Sequence, residues 1–262
     1  MPEPLKIYTF NHIGLLTLIK REIDRFANVY LQTIVAPVIT TLLFYTVFAL
    51  AFGGVARQVG DVPFLEFLAP GLITMVMVQN AFANTSSSIV ISKIQGNIVD
   101  ILLPPLSDFE LYIGFTVGAV SRGLVVGCVT GVVVSLFVPL SIVSWGLVLA
   151  YAVLGTMMLG SLGLAAGIWS ERFDHIAGVT NFVVTPLTFL SGTFYSVESL
   201  PPMWQGLAHY NPFFYMIDGF RSGFIGQSDS DPVIGIAVLV SINLFLALLT
   251  FWMLRTGYKI RS

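Results

Sequence analysis

The sequence predicts an all-α polytopic membrane protein of six transmembrane helices, with an N-terminal interfacial helix and a re-entrant helical hairpin on the outer side between spans five and six. Three observations predict it. Of 262 residues, 56% are hydrophobic and only 10% charged, where a water-soluble domain needs about 25% charged residues to solvate its surface. Mean hydropathy is +0.88. The apolar residues gather into runs of the ~20 residues that a helix needs to cross ~30 Å of hydrocarbon, and lysine and arginine cluster in alternate connections between them.

Residues 1–28 carry Lys6, Lys20, Arg21, Glu22, Asp24 and Arg25 with no apolar stretch of signal-peptide type before them. Leu15, Leu16, Ile19, Ile23 and Phe26 fall within about a 100° arc of a helix, with Lys20, Arg21, Asp24 and Arg25 on the other side. Such a helix is expected to lie at the inner membrane face, either as an anchor or as a docking surface. The spans follow at Val29–Gly53, Phe64–Ile91, Tyr112–Val138, Trp145–Trp169, Ile176–Tyr195 and Val233–Leu254. No composition shift divides the chain, so 1–262 reads as one domain: the interfacial helix, spans one to five over 29–195, the hairpin over 197–232, span six over 233–254, and a tail over 255–262. Placing both ends in the cytoplasm puts Lys6, Lys20, Arg21, Arg25, Lys93, Arg172, Arg255, Lys259 and Arg261 inside. Only Arg57 and Arg221 then lie outside, as the positive-inside rule requires.

The connection Ser86–Glu110 is the longest inner one. Ile98, Ile101 and Leu102 follow a polar stretch at helical spacing, Pro104 and Pro105 stop the helix, and Ser107 with Glu110 makes a capping box for the third span. A short helix there gives an outside force something to grip. In the hairpin, Pro202 suits a first helical position, Asn211 followed by Pro212 suits an N-cap and N1, and Gly226 suits a helix end. Phe213, Phe214, Tyr215, Met216, Phe220 and Phe224 argue against a solvated loop, and are read as interfacial aromatic anchors or as substrate contacts. Asp218 and Arg221 are spaced to pair on one helix face.

Within the spans, Arg122 stands out because ionisable residues in lipid are costly. It is expected to snorkel to the inner interface, or to pair in the bundle or meet an anionic lipid-like cargo. Gln79, Asn80 and Asn84 in the second span and Asn181 in the fifth suit interhelical hydrogen bonding, or a cargo path or dimer seam. Gly155, Gly160, Gly163 and Gly167 suit close packing of the fourth span. No catalytic residue, metal site or nucleic-acid partner is expected. Cys128 is the one cysteine, which reads as a small buried hydrophobe and allows no disulfide. His12, His175 and His209 fall outside the spans and so do not suit an intramembrane protease. No lysine follows a glycine, so the phosphate loop of a nucleotide hydrolase is missing.

Several segments carry a family resemblance. They are the run from Leu103 to Glu110 (LPPLSDFE), Leu200–Gln205 (LPPMWQ), Asn211–Gly226 (NPFFYMIDGFRSGFIG), Val120–Gly127 (VSRGLVVG) and Thr185–Ser196 (TPLTFLSGTFYS). Together they resemble the ABC-2 type transporter permeases, and among them the YadH-like inner-membrane permeases, over essentially the whole chain. The resemblance implies a bacterial inner-membrane subunit that pairs with a second copy of itself, each copy bound by a cytoplasmic ATP-binding subunit. ATP and Mg would be held by that subunit and no cofactor by this chain. It implies that Lys20, Arg21 and Arg25 of the first helix, with Lys93, Gln95, Asn97 and Asp100 of the inner loop, take up the ATPase movement. It further implies that the hairpin (Asn211, Pro212, Phe213, Tyr215, Asp218, Arg221) closes the outer end of the pathway, and that drugs, lipids or glycans are moved outward. An ATP-independent channel or secondary carrier is the rival reading, disfavoured by the lack of paired Asn-Pro half-helices and of internal repeats.

Overall fold

A computed structural model describes residues 10–52, 58–60 and 62–259. Lys6, Arg57 and Arg261 of the charge asymmetry, the first residues of the interfacial helix, and Gly53 at the end of the first span lie outside the described residues. Among the described residues the chain is mostly helical, and its strands form one two-stranded antiparallel ribbon, β1 (Gln58–Val59) with β2 (Val62–Pro63). The helices are α1 (His12–Ala27), α2 (Ala36–Phe52), α3 (Phe64–Ile94), α4 (Ile98–Leu102), α5 (Asp108–Ser135), α6 (Trp145–Trp169), α7 (Phe173–Val179), α8 (Thr185–Leu190), α9 (Pro202–His209), α10 (Pro212–Ile225) and α11 (Pro232–Thr256).

Among the described residues five helices are long and apolar enough to cross a membrane: Leu31–Ala51, α3, α5, α6 and α11. The expected fifth span is instead three joined pieces, with α7 passing through a π turn at Thr180–Val184 into α8. A matching π turn, Leu31–Val35, leads into α2. Each π turn lies just before a proline, Pro37 or Pro186. Proline has no N–H for the carbonyl four residues back, and the wider π winding falls just ahead of that gap: Ala36 donates to Leu31 and Thr185 to Thr180, each five residues back.

α3 is the pillar. In its most apolar window 78% of residues are buried, against 17% for the first span, so α2 turns Ile39, Leu43, Val47 and Leu50 outward. Lipid is as apolar as leucine, so close van der Waals contact and hydrogen bonds must hold such helices together. The α6 glycines supply that contact. A Cβ on Gly163 would come within 2.4 Å of the Phe82 carbonyl oxygen, and Gly155, Gly160 and Gly167 face Met216, Ala119 and Ile89. Thr85 Oγ1 donates to Gly160 O at 2.7 Å, a bond worth about 0.6 kcal/mol on average in membranes.

α10 corrects the interfacial-anchor reading of the hairpin aromatics. Phe213, Phe214, Phe220 and Phe224 are buried; three of them, with Met216 and Ile217, join the core formed with α3, α6 and α11. It is α9 that turns Met203, Trp204 and Leu207 outward. The caps fall where the residues predict. Asn211 accepts from Phe213 N, Pro212 is N1, and Gly226 ends the helix at φ 71°, a left-handed conformation that glycine adopts without steric cost.

Candidate functional site

Three polar assemblies lie along the bundle. At the first end, α1 packs against α5. Its buried face is Leu15, Leu18, Glu22 and Phe26, rotated from the expected apolar arc, so that Leu16 and Ile13 are exposed. Glycines on α5 admit it: a Cβ on Gly114 would strike Leu18, and one on Gly118 would strike Glu22. Glu110 ties the two helix starts together. It completes the expected capping box with Ser107, accepting from Ser107 N at 2.7 Å, while its other oxygen accepts from Asn11 N, just before α1.

Glu22 is fully buried. It accepts from Ser88 Oγ at 2.7 Å and pairs with Arg25 at 3.2 Å. Arg25 therefore does not project as an ATPase contact. Its guanidinium turns into the bundle and donates to Asn84 O (2.6 Å), Asn84 Oδ1 (2.9 Å) and Ser87 Oγ (3.1 Å). Lys93 is corrected in the same way. Its ammonium donates to the carbonyls of Gly167, Ile168 and Ser170, placing positive charge on the C-terminal end of α6, where the helix dipole favours it. Lys20, Arg21 and Asp24 remain exposed. In the following turn Ile101 of α4 is buried beside Leu18 and Leu111, while Gln95, Val99, Asp100 and Leu103 are exposed and Asn97 is half-buried, donating to Gln95. α4 and α1 thus share one apolar cluster, and each keeps an exposed face.

Lys259, near the chain's end, meets Glu171 of the α6–α7 turn at 2.9 Å and lies over the Trp169 ring. The two described ends of the chain thus both lie at this end of the bundle. Lys259 holds the Glu171 carboxyl below the usual carboxylate range. A depressed carboxyl keeps its contact above its ordinary pKa and loses it as pH falls through the lowered value. Acidification is thus expected to free Lys259 from Glu171 and change Trp169 fluorescence, a change absent from Lys259→Ala.

The second assembly is at mid-depth. Arg122 does not snorkel; it is buried on α5 and donates from Nη2 to Asn80 Oδ1 at 2.9 Å. Asn84 is sealed against Arg25, whereas Gln79 and Asn181 are open to the outside of the bundle. Gln79 and Asn80 border two clefts. One, about 320 Å3, lies between α3 and the first span and includes Gln32, Pro37 and Phe44. The other, about 340 Å3, lies between α3 and the α7–α8 segment and includes Ser87, Ile176 and Val184.

The third assembly closes the opposite end. Asp218 and Arg221 do not pair with each other. Asp218 accepts from Ser228 Oγ, Asp229 N, and the N–H and hydroxyl of Ser230. Arg221 donates to Gly192 O at 2.6 Å and lies 3.7 Å over the Phe67 ring. Asn211, besides capping α10, donates to Leu187 O and Ser191 Oγ, pinning the hairpin to α8. Tyr215 packs edge-on against Phe214.

Sequence reasoning missed Glu22 and Tyr151. Leu18, Glu22 and Phe26 at i, i+4 spacing is the signal for the first: a carboxylate on the seated face of a helix. Tyr151 is an ordinary apolar-run residue whose importance depends on glycines far away in the chain.

Five helices long and apolar enough to cross a membrane among the described residues, tied by buried polar bonds, define a polytopic membrane protein. The chain belongs to the ABC-2 type transporter family, whose model matches residues 14–225, and is a membrane transport subunit of that family. It is 38% identical over 250 residues to the inner membrane transport permease YadH of Escherichia coli K12, covering 95% of this chain and 98% of that protein. It is 26% identical over 192 residues to nodulation protein J of Rhizobium leguminosarum bv. viciae, covering 71% and 73%. It is 23% identical over 214 residues to nodulation protein J of Sinorhizobium fredii, covering 79% of each chain.

Proposed function

We propose that this chain is the membrane-spanning half of an ATP-driven exporter of the bacterial inner membrane, working as two copies with two cytoplasmic ATP-binding subunits that hold the ATP and Mg. The single observation that carries this reading is the α1–α4 platform. Its outward faces, Lys20, Arg21 and Asp24 on α1 and Val99, Asp100 and Leu103 at α4, have no side-chain partner within the described residues, while α1 is bonded to α3 through Glu22 and Arg25 and to the start of α5 through Glu110, and α4 is seated by Ile101. A push on the platform would be carried into the bundle. In this arrangement the helix from Phe173 to Leu190 is the sixth crossing, both chain ends are cytoplasmic, and the hairpin α9–α10 re-enters the outer leaflet as the gate. The seam bordered by Gln79, Asn80 and Asn181 faces the cargo path or the second copy, and the cargo is an amphipathic drug, lipid or glycan.

The test is coexpression with the ATP-binding subunit. The complex is expected to copurify stoichiometrically and to move cargo into or out of liposomes only with ATP. Val99→Asp with Leu103→Asp, which place charge on the exposed face of α4 without touching Ile101, are expected to cut cargo-stimulated ATP hydrolysis at least tenfold at unchanged melting temperature. ATP-independent flux through the permease alone would support the channel or carrier reading instead.

A further inference from the structure

Counting charges at mid-depth among the described residues leaves one cation unmatched. Two guanidiniums, Arg25 and Arg122, face the second span's polar stripe, and Glu22 is the carboxylate bonded there. Glu22 is committed to Arg25 and Ser88. Arg122 has one neutral amide oxygen on Nη2, a buried Nε with no hydrogen-bond partner among the described residues, and Arg25 as its charged neighbour, a like charge. A buried cation without a counter-ion is costly in a membrane.

The place of the missing charge follows from the α3 wall. Asn80, which holds Arg122, and Ser87, which holds Arg25, lie two turns or ~10 Å apart on α3, and both line the cleft of about 340 Å3 beside α7 and α8. Each guanidinium is thus one hydrogen bond away from that cleft, through a side chain that lines it. Gln79 is on the same wall, partly exposed, with no hydrogen-bond partner for its amide among the described residues. Phe82, Ala83, Ile176 and Val184 supply its apolar lining, with the small hydroxyl side chains of Ser86, Thr180 and Thr185 between them.

We propose that this cleft binds an anionic amphiphile, its phosphate or carboxylate head group held by Gln79 and Asn80 over the uncompensated charge of Arg122, and its tail against the α7–α8 wall. The inference rests on the seam being a ligand-facing surface, and it names the ligand class. Both walls next to the polar patch are built on helices with a π turn, the irregularity that recurs at functional sites. A cationic amphiphile would meet the same field with the opposite sign and be repelled.

The test uses the full-length permease in phosphatidylcholine nanodiscs without nucleotide, titrated with dodecyl phosphate and read by thermal stabilisation. Saturable binding is expected. Arg122→Gln should raise the half-saturating concentration at least tenfold, Arg122→Lys less than about threefold, and Gln79→Ala several-fold. Gln79 is half-exposed, so Gln79→Ala carries the test if Arg122→Gln fails to assemble. Inorganic phosphate is expected to bind at least a hundredfold more weakly; equal affinity would overturn the assignment of a tailed ligand. Equal binding of dodecyltrimethylammonium, or half-saturation unmoved in Arg122→Gln or Gln79→Ala, would overturn the site. Because nucleotide is absent, failure of ATP-driven transport would sink the exporter reading and leave this binding result standing.

Discussion

Replacing Gly219 by alanine is expected to cost more than any other single methyl group in the protein, at least about 3 kcal/mol, the upper end of the range for overpacking a filled core. A Cβ there would lie 2.0, 2.1 and 2.4 Å from three ring carbons of Tyr151. The ring has nowhere to go. Tyr151 is fully buried, its hydroxyl donates to Pro232 O at 2.7 Å, and its far edge abuts Gly235, where another Cβ would come within 2.4 Å of the hydroxyl. One α6 side chain thus sets the spacing of α10 and α11 at their end of the bundle. Gly219→Ala is expected to abolish monodisperse protein at growth temperature, or to lower the melting temperature of what survives by at least 10 °C. The cycle with Tyr151→Leu separates steric conflict from general loss of packing. Tyr151→Leu alone should destabilise through the lost bond and volume, yet the double variant should be more stable than Gly219→Ala, because the smaller side chain admits the methyl group. An unchanged melting temperature for Gly219→Ala would show that α10 does not seat on Tyr151.

What the sequence made legible was whatever short-range rules determine. The capping box Ser107–Glu110, the Asn211–Pro212 start, the Gly226 stop and the limits of α6 all rest on neighbours within a few residues, and each appears as expected. The α6 glycines were legible as a packing face because a stripe of missing side chains has one main use in lipid. What could not be read was which long polar side chain bonds to which distant backbone. Arg25, Lys93 and Arg221 all looked like charges for a partner or a surface, and all three end on groups remote in the chain. Arginine and lysine reach far, and a helix wheel gives the direction of departure but not what waits at the end. The Asp218–Arg221 pairing failed for a related reason: correct spacing permits a pair, but the loop at 228–230 gives Asp218 four hydrogen bonds, where a bidentate arginine would give two. The broken fifth span was half-visible in Pro186, whose effect on winding depends on what the freed carbonyls find.

The other large effect is expected at Arg25. Truncation to alanine removes one ion pair and three further hydrogen bonds. The greater loss comes from what remains, since Glu22 would stay fully buried with Ser88 as its one remaining hydrogen-bond donor. Stranding one member of a buried pair costs about 3–5 kcal/mol, enough to unseat α1 from the glycines of α5. Arg25→Ala is therefore expected to lower the melting temperature sharply and to raise hydrogen–deuterium exchange along residues 12–27, with little change in α10 or α11. Arg25→Lys should recover only part of this, because a single ammonium cannot reproduce the planar fork that reaches Asn84 and Ser87 together. The decisive comparison is Glu22→Gln with Arg25→Ala. If charge stranding dominates, neutralising Glu22 in the Arg25→Ala background restores most of the lost stability, although it removes no contact that Arg25→Ala had spared. If the double variant is as unstable as Arg25→Ala alone, then α1 is held by the hydrogen bonds to Asn84 and Ser87 and not by charge balance.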